Sequence, residues 1–566
     1  GIEQIPASMI ERVEVMRGGG SALFGSSAIA GTINIITKEP MRNSGMLSHT
    51  ITGIGDGDVF DNSTALNASL VTDDQRAGLY IFGQNRHRSA YDHDGDGYSE
   101  IPKLHGQTIG FRSFLKTTTY SKLTFEYHHM EEFRRGGDLL NRPPHEANVA
   151  EQTEHSINGG GLKFDYFSPN ENHRFNVFAS AQHINRDSYY GPGDRDPLDA
   201  YGNTTDLNWM AGSQYVYSFG KCIFMPSDLT AGIEFNQDKL EDNMWGYNRT
   251  VDQKVNIGSA FLQNEWKNDH WGFLIGGRLD KHNLIDHVIF SPRANLRYNP
   301  TENINLRFSY SSGFRAPQAF DEDLHVENVG GNVAMVELAD NLKEERSQSL
   351  SASADIYHRF GAFQVNFLVE GFYTKLSDVF ALTDGEVVDG ILTRTRHNAS
   401  GAQVLGLTLE GKMAYLNKIQ VQAGVTLQQS HYSKPHIWNK EAPAVKKMMR
   451  TPNTYGYFTA TYTPIKPLSI ALSGTYTGSM LVPHEPVPGF LENPITVNTK
   501  DFFDIGLKAA YDFKLYKSMN LQLNAGIQNI FNAYQDDFDK GADRDSGYIY
   551  GPSLPRSFFA GVKISY

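Results

Sequence analysis

The chain has 566 residues, a formal net charge of −13 and one cysteine, Cys222. This acidic balance argues against a nucleic-acid partner, because phosphate contacts need a basic surface, and one cysteine excludes an internal disulfide framework. Mean hydropathy is −0.43, and no run approaches the roughly 18 apolar residues of a membrane-spanning helix. Two classes remain, a large soluble all-β protein and a transmembrane barrel whose polar interior lowers the mean hydropathy.

The first predicted element covers residues 8–38. Apolar residues alternate with a period of two at 10–15 and at 33–35, which predicts two strands. Glycines at 18–20 and at 25 lie between them and favour a tightly packed turn, because glycine permits close backbone approach. Alone, this stretch also fits a compact β-α-β piece of a soluble domain. No signal peptide stands at residue 1, and we expect the true N-terminus to be missing from this sequence.

From Ser44 onward one pattern repeats. Segments of about ten alternating residues, such as INLRFSYS at 304–311, predict 22 strands from 44–54 to 556–566. The predicted connections alternate between short ones, such as 72–75 and 300–302, and long polar ones. The long ones are 89–106, 132–154, 187–206, 239–255, 314–345, 377–401, 431–453, 478–500 and 531–555.

This alternation of connections decides between the two classes. A soluble sandwich has no reason to place nearly every long loop at one end, whereas an outer-membrane barrel has short periplasmic turns and long external loops. An even strand number and closure also leave no exposed edge. We therefore predict an all-β transmembrane protein, a 22-stranded antiparallel outer-membrane β-barrel over residues 44–566. Its lumen is too wide for side chains to fill, so residues 1–40 are predicted to be part of a plug.

Several motifs resemble those of the TonB-dependent outer-membrane receptors. Residues 10–18 (IERVEVMRG) and 21–38 (SALFGSSAIAGTINIITK) resemble the closing plug motif of that family. Residues 313–317 (GFRAP), 342–347 (LKEERS) and 529–534 (NIFNAY) resemble later family motifs in the same order. The chain departs from the pattern at Gly19, where proline is usual, and at 339–340, where Asn-Pro is usual. The TonB box and the first half of the plug are also absent, so this sequence does not itself show coupling to TonB.

The resemblance implies an active importer of the bacterial outer membrane and not an enzyme. Its implied partners are the TonB–ExbB–ExbD energising complex, outer-membrane lipid and lipopolysaccharide, and a surface-exposed substrate-binding lipoprotein, with a monomeric barrel. The implied substrate is a scarce metal chelate: a ferric siderophore, haem or a corrinoid. A passive porin, a surface adhesin or enzyme, and an importer of glycans or peptides remain as alternatives.

Charged residues in the plug stretch form the first candidate site. The resemblance implies ionic contacts between such residues and the barrel wall, because charges inside a barrel need pairing or solvation. We expect a plug–barrel latch, which TonB pulling would break, from Glu11, Arg12, Glu14 and Arg17.

The segment DHDGDGYSE at 92–100 is the sharpest local motif. Carboxylates at its positions 1, 3, 5 and 9, with glycine at position 6, match the first part of an EF-hand loop and predict a structural Ca²⁺ in an external loop. The bidentate glutamate of a full EF-hand is missing, because position 12 is Lys103. A plain acidic, glycine-rich turn is the alternative. The predicted ligands are Asp92, Asp94, Asp96, the Tyr98 carbonyl and Glu100.

External loops also carry candidate substrate contacts. Arginine, histidine and tyrosine suit a flat, apolar or anionic ligand, although they equally suit docking of a surface lipoprotein, and a loop histidine is more often solvent-facing than an iron ligand. No catalytic set emerges, since Ile29 replaces the last glycine that a G-x-S-x-G elbow needs. The candidates are Arg315, His325, Tyr189, Tyr190 and His484.

Overall fold

The alternating segments form one closed antiparallel sheet in a computed structural model, which describes residues 5, 7–29, 31–192, 200–329 and 332–566. Within these residues 22 strands form the barrel wall. A further strand of three residues, Val445–Lys447, pairs with the end of one of them, Ile419–His436. The predicted barrel is therefore confirmed. None of the helices in the described residues is long and apolar enough to span a membrane.

The strands before position 250 begin with the plug pair β1 and β2, and β3 opens the barrel. They are β1 (Ile10–Arg17), β2 (Gly31–Thr37), β3 (Ser44–Ile54), β4 (Val59–Val71), β5 (Ala77–Arg88), β6 (Ser99–Thr118), β7 (Ser121–Gly137), β8 (Val149–Phe167), β9 (His173–Pro192), β10 (Tyr201–Cys222), β11 (Met225–Met244) and β12 (Arg249–Lys267). Helix α1 (Ser21–Phe24) and 3₁₀ turns at Ala7–Met9, Pro144–Glu146 and Trp245–Tyr247 accompany them.

The remaining strands complete the barrel and build part of its outer connections. They are β13 (Trp271–His282), β14 (Ile289–Thr301), β15 (Ile304–Arg315), β16 (Glu327–Val329), β17 (Asn332–Leu338), β18 (Glu345–Phe360), β19 (Phe363–Ser377), β20 (Phe380–Val388), β21 (Ile391–Asn398), β22 (Ala402–Tyr415), β23 (Ile419–His436), β24 (Val445–Lys447), β25 (Thr454–Ile465), β26 (Leu468–Thr477), β27 (Leu481–His484), β28 (Ile495–Asn498), β29 (Phe502–Tyr516), β30 (Met519–Gln528) and β31 (Ser557–Ser565). Helix α2 (Asp321–Leu324) precedes β16.

The first and last barrel strands close the sheet. β3 pairs antiparallel with β31 from Met46 opposite Ser565 to Ile54 opposite Ser557. Closure satisfies the backbone hydrogen bonds of every strand without leaving an edge in the bilayer.

The two faces of the wall differ as the alternation predicts. Exposed apolar side chains lie on the outer face, among them Ile109, Ile233 and Ile275, each more than 60% exposed. Stacked rings such as Trp271 and Tyr298, 4.2 Å between centroids, lie beside the short turns and match an aromatic girdle at a membrane interface.

The prediction of nine long loops is wrong for the first half of the barrel. β6 has 20 residues and β10 has 22, whereas about 9–11 tilted residues span a bilayer. Much of the predicted loops 89–106, 132–154, 187–206 and 239–255 is therefore strand that continues outside the membrane. The apolar alternation ends where lipid ends, while the backbone ladder continues because paired strands still satisfy their hydrogen bonds.

Later outer connections contain their own sheets. β16, β17, β21 and β20 form a four-stranded sheet in which β17 runs parallel to β21, and β27 pairs with β28. This sheet joins the connection between β15 and β18 to the connection between β19 and β22.

Candidate functional site

The plug stretch is seated against the outer ends of β15 and β18. The Phe314 backbone N–H donates to Ser21 Oγ at 3.0 Å, and the Ser27 N–H donates to the Phe314 carbonyl at 2.9 Å. From β18, Ser347 Oγ donates to the Ile29 carbonyl at 2.6 Å, and Ser349 Oγ accepts the Gly19 N–H at 3.1 Å. These hydrogen bonds connect the plug to the wall, and we call this contact region the plug seat.

Two glycines allow this close approach. A Cβ on Gly19 would lie 2.6 Å from the Ser312 carbonyl carbon, and a Cβ on Gly313 would lie 2.4 Å from the Ala28 carbonyl oxygen. Real Cβ atoms do not approach backbone so closely, so both positions need glycine for the plug seat to form.

The four predicted latch residues divide into different roles. Arg17 reaches the wall, where its guanidinium lies 3.0 Å from Glu370 and 3.3 Å from Thr408 Oγ1. Arg12 and Glu14 instead pair with each other at 2.8 Å. The Arg12 guanidinium, which donates to the Glu14 carboxylate, lowers the pKa of Glu14. Glu11 lies exposed on β1.

All four charged residues lie at exposed positions of β1. β1 is mostly exposed, and Val13 and Val15 are 50% and 66% exposed. Among the described strands β1 pairs only with β2. A second wall contact, not predicted from the sequence, joins Glu39 to Arg112 at 2.9 Å and to Lys122 at 3.4 Å.

The connection between β15 and β18 folds into the mouth of the barrel. Leu207 of β10 and Ile233 of β11 are exposed on the outer face. Thr204 of β10 and Asp242 of β11 are an odd number of positions away from them, so their side chains point to the opposite face, into the lumen. Asp321 of α2 meets this inner face, 3.1 Å from the Arg186 guanidinium.

Tyr189 and Tyr190 lie where the same connection packs on the inner wall. Both are buried in an apolar cluster that includes Met244, Val333 and Met335. They belong to β9 and not to a loop, contrary to the prediction. His325 packs edge-on against Tyr190 with 5.2 Å between ring centroids, so the structure brings these two candidates together.

Arg315, the last residue of β15, is engaged by its own connection. Its guanidinium lies 2.5 Å from Glu322 and 3.9 Å from the centroid of the Phe320 ring. The Arg315 charge and Glu322 therefore neutralise each other, and Arg396 adds a second cation 3.2 Å from Glu322.

His484 belongs to a separate buried cluster. Its Nε2 lies 3.0 Å from both carboxylate oxygens of Asp539, and its ring stacks on Tyr548 with 3.8 Å between centroids. This packing joins the β27–β28 hairpin to the last outer connection, 529–556, and places His484 away from the His325–Tyr190 pair.

Arg394 of β21 links three outer connections. Its guanidinium lies 2.6 Å from Glu327, 3.0 Å from Asp384 and 3.4 Å from Glu485. Burial raises the pKa of Glu485 to about 7, with the nearby Asp384 charge adding to it and Arg394 opposing it. The Glu485 backbone N–H also donates to Asp545 at 3.0 Å, which ties the hairpin to the connection 529–556.

The predicted calcium loop is folded around its own carboxylates and an arginine. Oxygens of Asp92, Asp94 and Glu100 lie within 4.8 Å of one another. Arg544 donates to Glu100 at 3.0 Å and pairs with Asp96. Burial raises the pKa of Glu100, although the His93 N–H and Arg544 oppose the shift. The loop is therefore tied to the connection 529–556 through two of the predicted ligands.

Family models match most of the chain. One described as "TonB dependent receptor-like, beta-barrel" matches residues 45–530, and one described as "TonB-dependent Receptor Plug Domain" matches residues 1–32. A curated "Iron-regulated outer membrane virulence protein" of Vibrio cholerae is 26% identical over 353 residues, 59% of this chain and 49% of the relative. The "Vitamin B12 transporter BtuB" of Vibrio vulnificus is 22% identical over 330 residues, 56% of this chain and 49% of the relative. The aligned part spans about half the length of these relatives.

Solved structures share the fold over the whole chain. The siderophore receptor PirA from Acinetobacter baumannii has a TM-score of 0.78 at 16% identity, covering 100% of this chain and 86% of that one. The ferric-catecholate import receptor Fiu from Escherichia coli K12 has a TM-score of 0.72 at 14% identity, covering 99% and 86%. At these identities the likeness shows the fold alone.

Proposed function

This chain belongs to the TonB-dependent receptors of the bacterial outer membrane, and we propose that it imports a scarce metal chelate: a ferric siderophore, haem or a corrinoid. The energy comes from the TonB–ExbB–ExbD complex of the inner membrane, as in the family. Members of this family are receptors and transporters, not enzymes.

The seated plug is the observation that carries the proposal. A 22-stranded barrel encloses a wide lumen, and a segment held against its wall is expected to obstruct passive flow. The wall contacts can be released one at a time, because they are individual hydrogen bonds and partly exposed ion pairs such as Arg17–Glu370, with Arg17 53% exposed. An exposed pair of this kind contributes at most about 1 kcal/mol, so a pulling force meets a series of small barriers.

The choice of a metal chelate is supported by the relatives. They include an iron-regulated protein and a vitamin B12 transporter, and the structural neighbours include siderophore receptors. A chelate too large for a passive pore also suits outer connections that fold into the barrel mouth.

The test is uptake of ⁵⁵Fe siderophores, haem and ⁵⁷Co-labelled cobalamin by a strain lacking the gene, complemented with the full-length gene or an empty vector. We expect one chelate class to enter only in the complemented strain and only when TonB is present. Uptake that persists without TonB would instead support a porin. Growth dependence on a glycan or peptide, without chelate uptake, would also contradict the proposal.

A further inference from the structure

An acidic cavity opens between three outer connections. It has a volume of about 710 Å³ and lies between the β20–β21 hairpin, residues 439–441 and residues 485–492. Its size falls within the range of small-molecule sites, about 300–1,000 Å³. None of the residues predicted from the sequence as substrate contacts lines it.

Carboxylates dominate the charge of this cavity. Glu386, Glu441 and Glu492 line its rim and are exposed, and in the described part of the chain none of the three forms an ion pair with lysine or arginine. Lys440 is the one basic residue among the lining residues.

The inner end of the cavity adds two more carboxyl groups. Asp384 and Glu485 line it, and both are hydrogen-bonded by the Asn439 amide at 3.1 Å. Arg394 supplies one positive charge there and also pairs with Glu327, so carboxylates outnumber the cations beside the cavity.

Apolar surface lies between these charges. Val387, Leu392, Pro486, Pro488 and Leu491 line the same cavity. Beside it Val388 is 63% exposed and Phe490 is 77% exposed. Such a surface suits the hydrocarbon body of a ligand while the carboxylates attract its positive end.

The arginines facing the barrel mouth do not offset this charge. Arg186 and Arg249 both pair with Asp242, and Arg396 pairs with Glu322 and Asp323. These side chains are at most 8% exposed, and each already pairs with at least one carboxylate, while Asp321 is a second partner of Arg186.

We propose that the cavity bounded by Glu386, Glu441 and Glu492 is a capture site for a cationic chelate with an apolar body, and that this receptor does not select anionic catecholate chelates. The proposal rests on the import function proposed above and names its substrate class. A ferric hydroxamate carrying a free amine has the required chemistry. A ferric tricatecholate would bring several negative charges close to the rim carboxylates, and their repulsion would weaken its binding.

The test measures binding of two ⁵⁵Fe probes to the purified full-length receptor by equilibrium dialysis. The probes are a cationic ferric trihydroxamate with a free amine and an anionic ferric tricatecholate. The variant is Glu386→Gln, Glu441→Gln and Glu492→Gln together. The matched control is Asp286→Asn, Asp340→Asn and Asp543→Asn, which removes the same charge from exposed outer positions that do not line the cavity.

We expect the cationic probe to bind more tightly than the anionic one. The rim variant should weaken that binding about tenfold at low salt, and high salt should close the difference because exposed charges are screened. The control triple should bind like the wild type.

Tighter binding of the tricatecholate, or a rim variant equal to the wild type, would overturn the capture site. TonB-dependent uptake of that tricatecholate would leave the import function standing and so separate the two failures. Absence of binding and uptake for every chelate would overturn both. Displacement of the cationic probe by a lysine-rich peptide that binds more tightly would overturn the small-molecule assignment in favour of a protein partner.

Discussion

Arg394 links three of the outer connections through ion pairs. It is one cation among three carboxylates that come from three different connections, and its side chain is only 14% exposed. Removing a buried cation leaves its partners uncompensated, which costs about 3 kcal/mol. The stability of this part of the molecule should therefore change sharply with one substitution.

We expect Arg394→Met to open the outer connections without unfolding the barrel. Limited proteolysis should cut the segments around Glu327, Asp384 and Glu485 faster than in the wild type, while the barrel keeps its thermal unfolding temperature. Arg394→Lys keeps one charge and should show a smaller change. Equal cleavage of all three proteins would contradict the central role of this arginine.

Glu485 predicts a pH dependence for the same region. Its pKa in the folded protein is about 7, above the ordinary value of 4.5, so folding favours its protonated form. This contribution is present below about pH 4.5 and is lost as pH rises through about 7. The charged groups facing it are Asp384, Arg394 and Asp545.

Hydrogen exchange checks this dependence. After correction for intrinsic rates, residues 481–498 should be better protected at about pH 5.5 than at about pH 8. Glu485→Gln should remove most of the difference, whereas Glu386→Gln, which changes an exposed carboxylate, should not. A wild type with equal protection at both values would contradict the shift.

Residue-scale chemistry was only partly predictable from the sequence. Arg315 and His484 were selected because of their residue types, yet their partners depend on folding that a single sequence does not display. Arg394 was missed because Glu327 and Glu485 lie 67 and 91 positions away from it. Ion pairs at such separations have no local signal, unlike the alternation of a strand.

At the scale of elements, the membrane-facing strands were predictable and their outer extensions were not. β3 matches its predicted bounds, 44–54, because lipid on one face enforces apolar alternation. In β6, residues 103–106 continue the ladder with β7, and Ser99 pairs with Gly137 after an irregularity, although all of them lie beyond the predicted strand. Outside the bilayer both faces of a strand tolerate polar residues, so the apolar alternation that predicts the strand ends before the strand itself ends.

The loop at 92–100 is predicted to bind Ca²⁺. A structural Ca²⁺ there remains a prediction, with Asp92, Asp94 and Glu100 as the closest set of oxygens. If Ca²⁺ binds, mass spectrometry of the purified protein should find it, and Asp92→Asn with Asp94→Asn should remove it. Calcium should also slow proteolysis of this loop in the wild type.

Arg544 provides the control for that experiment. It already pairs with Asp96 and Glu100, so Arg544→Gln frees these carboxylates and should strengthen Ca²⁺ binding. Purified wild type and Arg544→Gln that both lack calcium would contradict the metal site and leave the arginine as the group that holds the loop.

At the scale of the whole molecule, the plug stretch contacts the barrel wall in two ways, through glycine backbone and through a partly exposed ion pair. Gly19 and Gly313 let the plug and wall backbones meet, while Arg17–Glu370 adds an ion pair of which the arginine is 53% exposed. The glycine contact should set the position of the plug, because backbone atoms have no flexible end that can move aside. The ion pair should contribute little to its stability.

Substitution at the plug seat separates these two contributions. Gly19→Val places side-chain atoms where the Ser312 backbone lies, with even the Cβ at 2.6 Å, so the plug should shift and conductance in planar bilayers should rise. Arg17→Ala should leave conductance nearly unchanged, since it removes only the partly exposed pair. Gly371→Ala is the matched control, because a Cβ there meets no atom within 4 Å. A Gly19→Val barrel that stays as closed as Gly371→Ala would show that the plug seat tolerates a side chain and that the plug is positioned elsewhere.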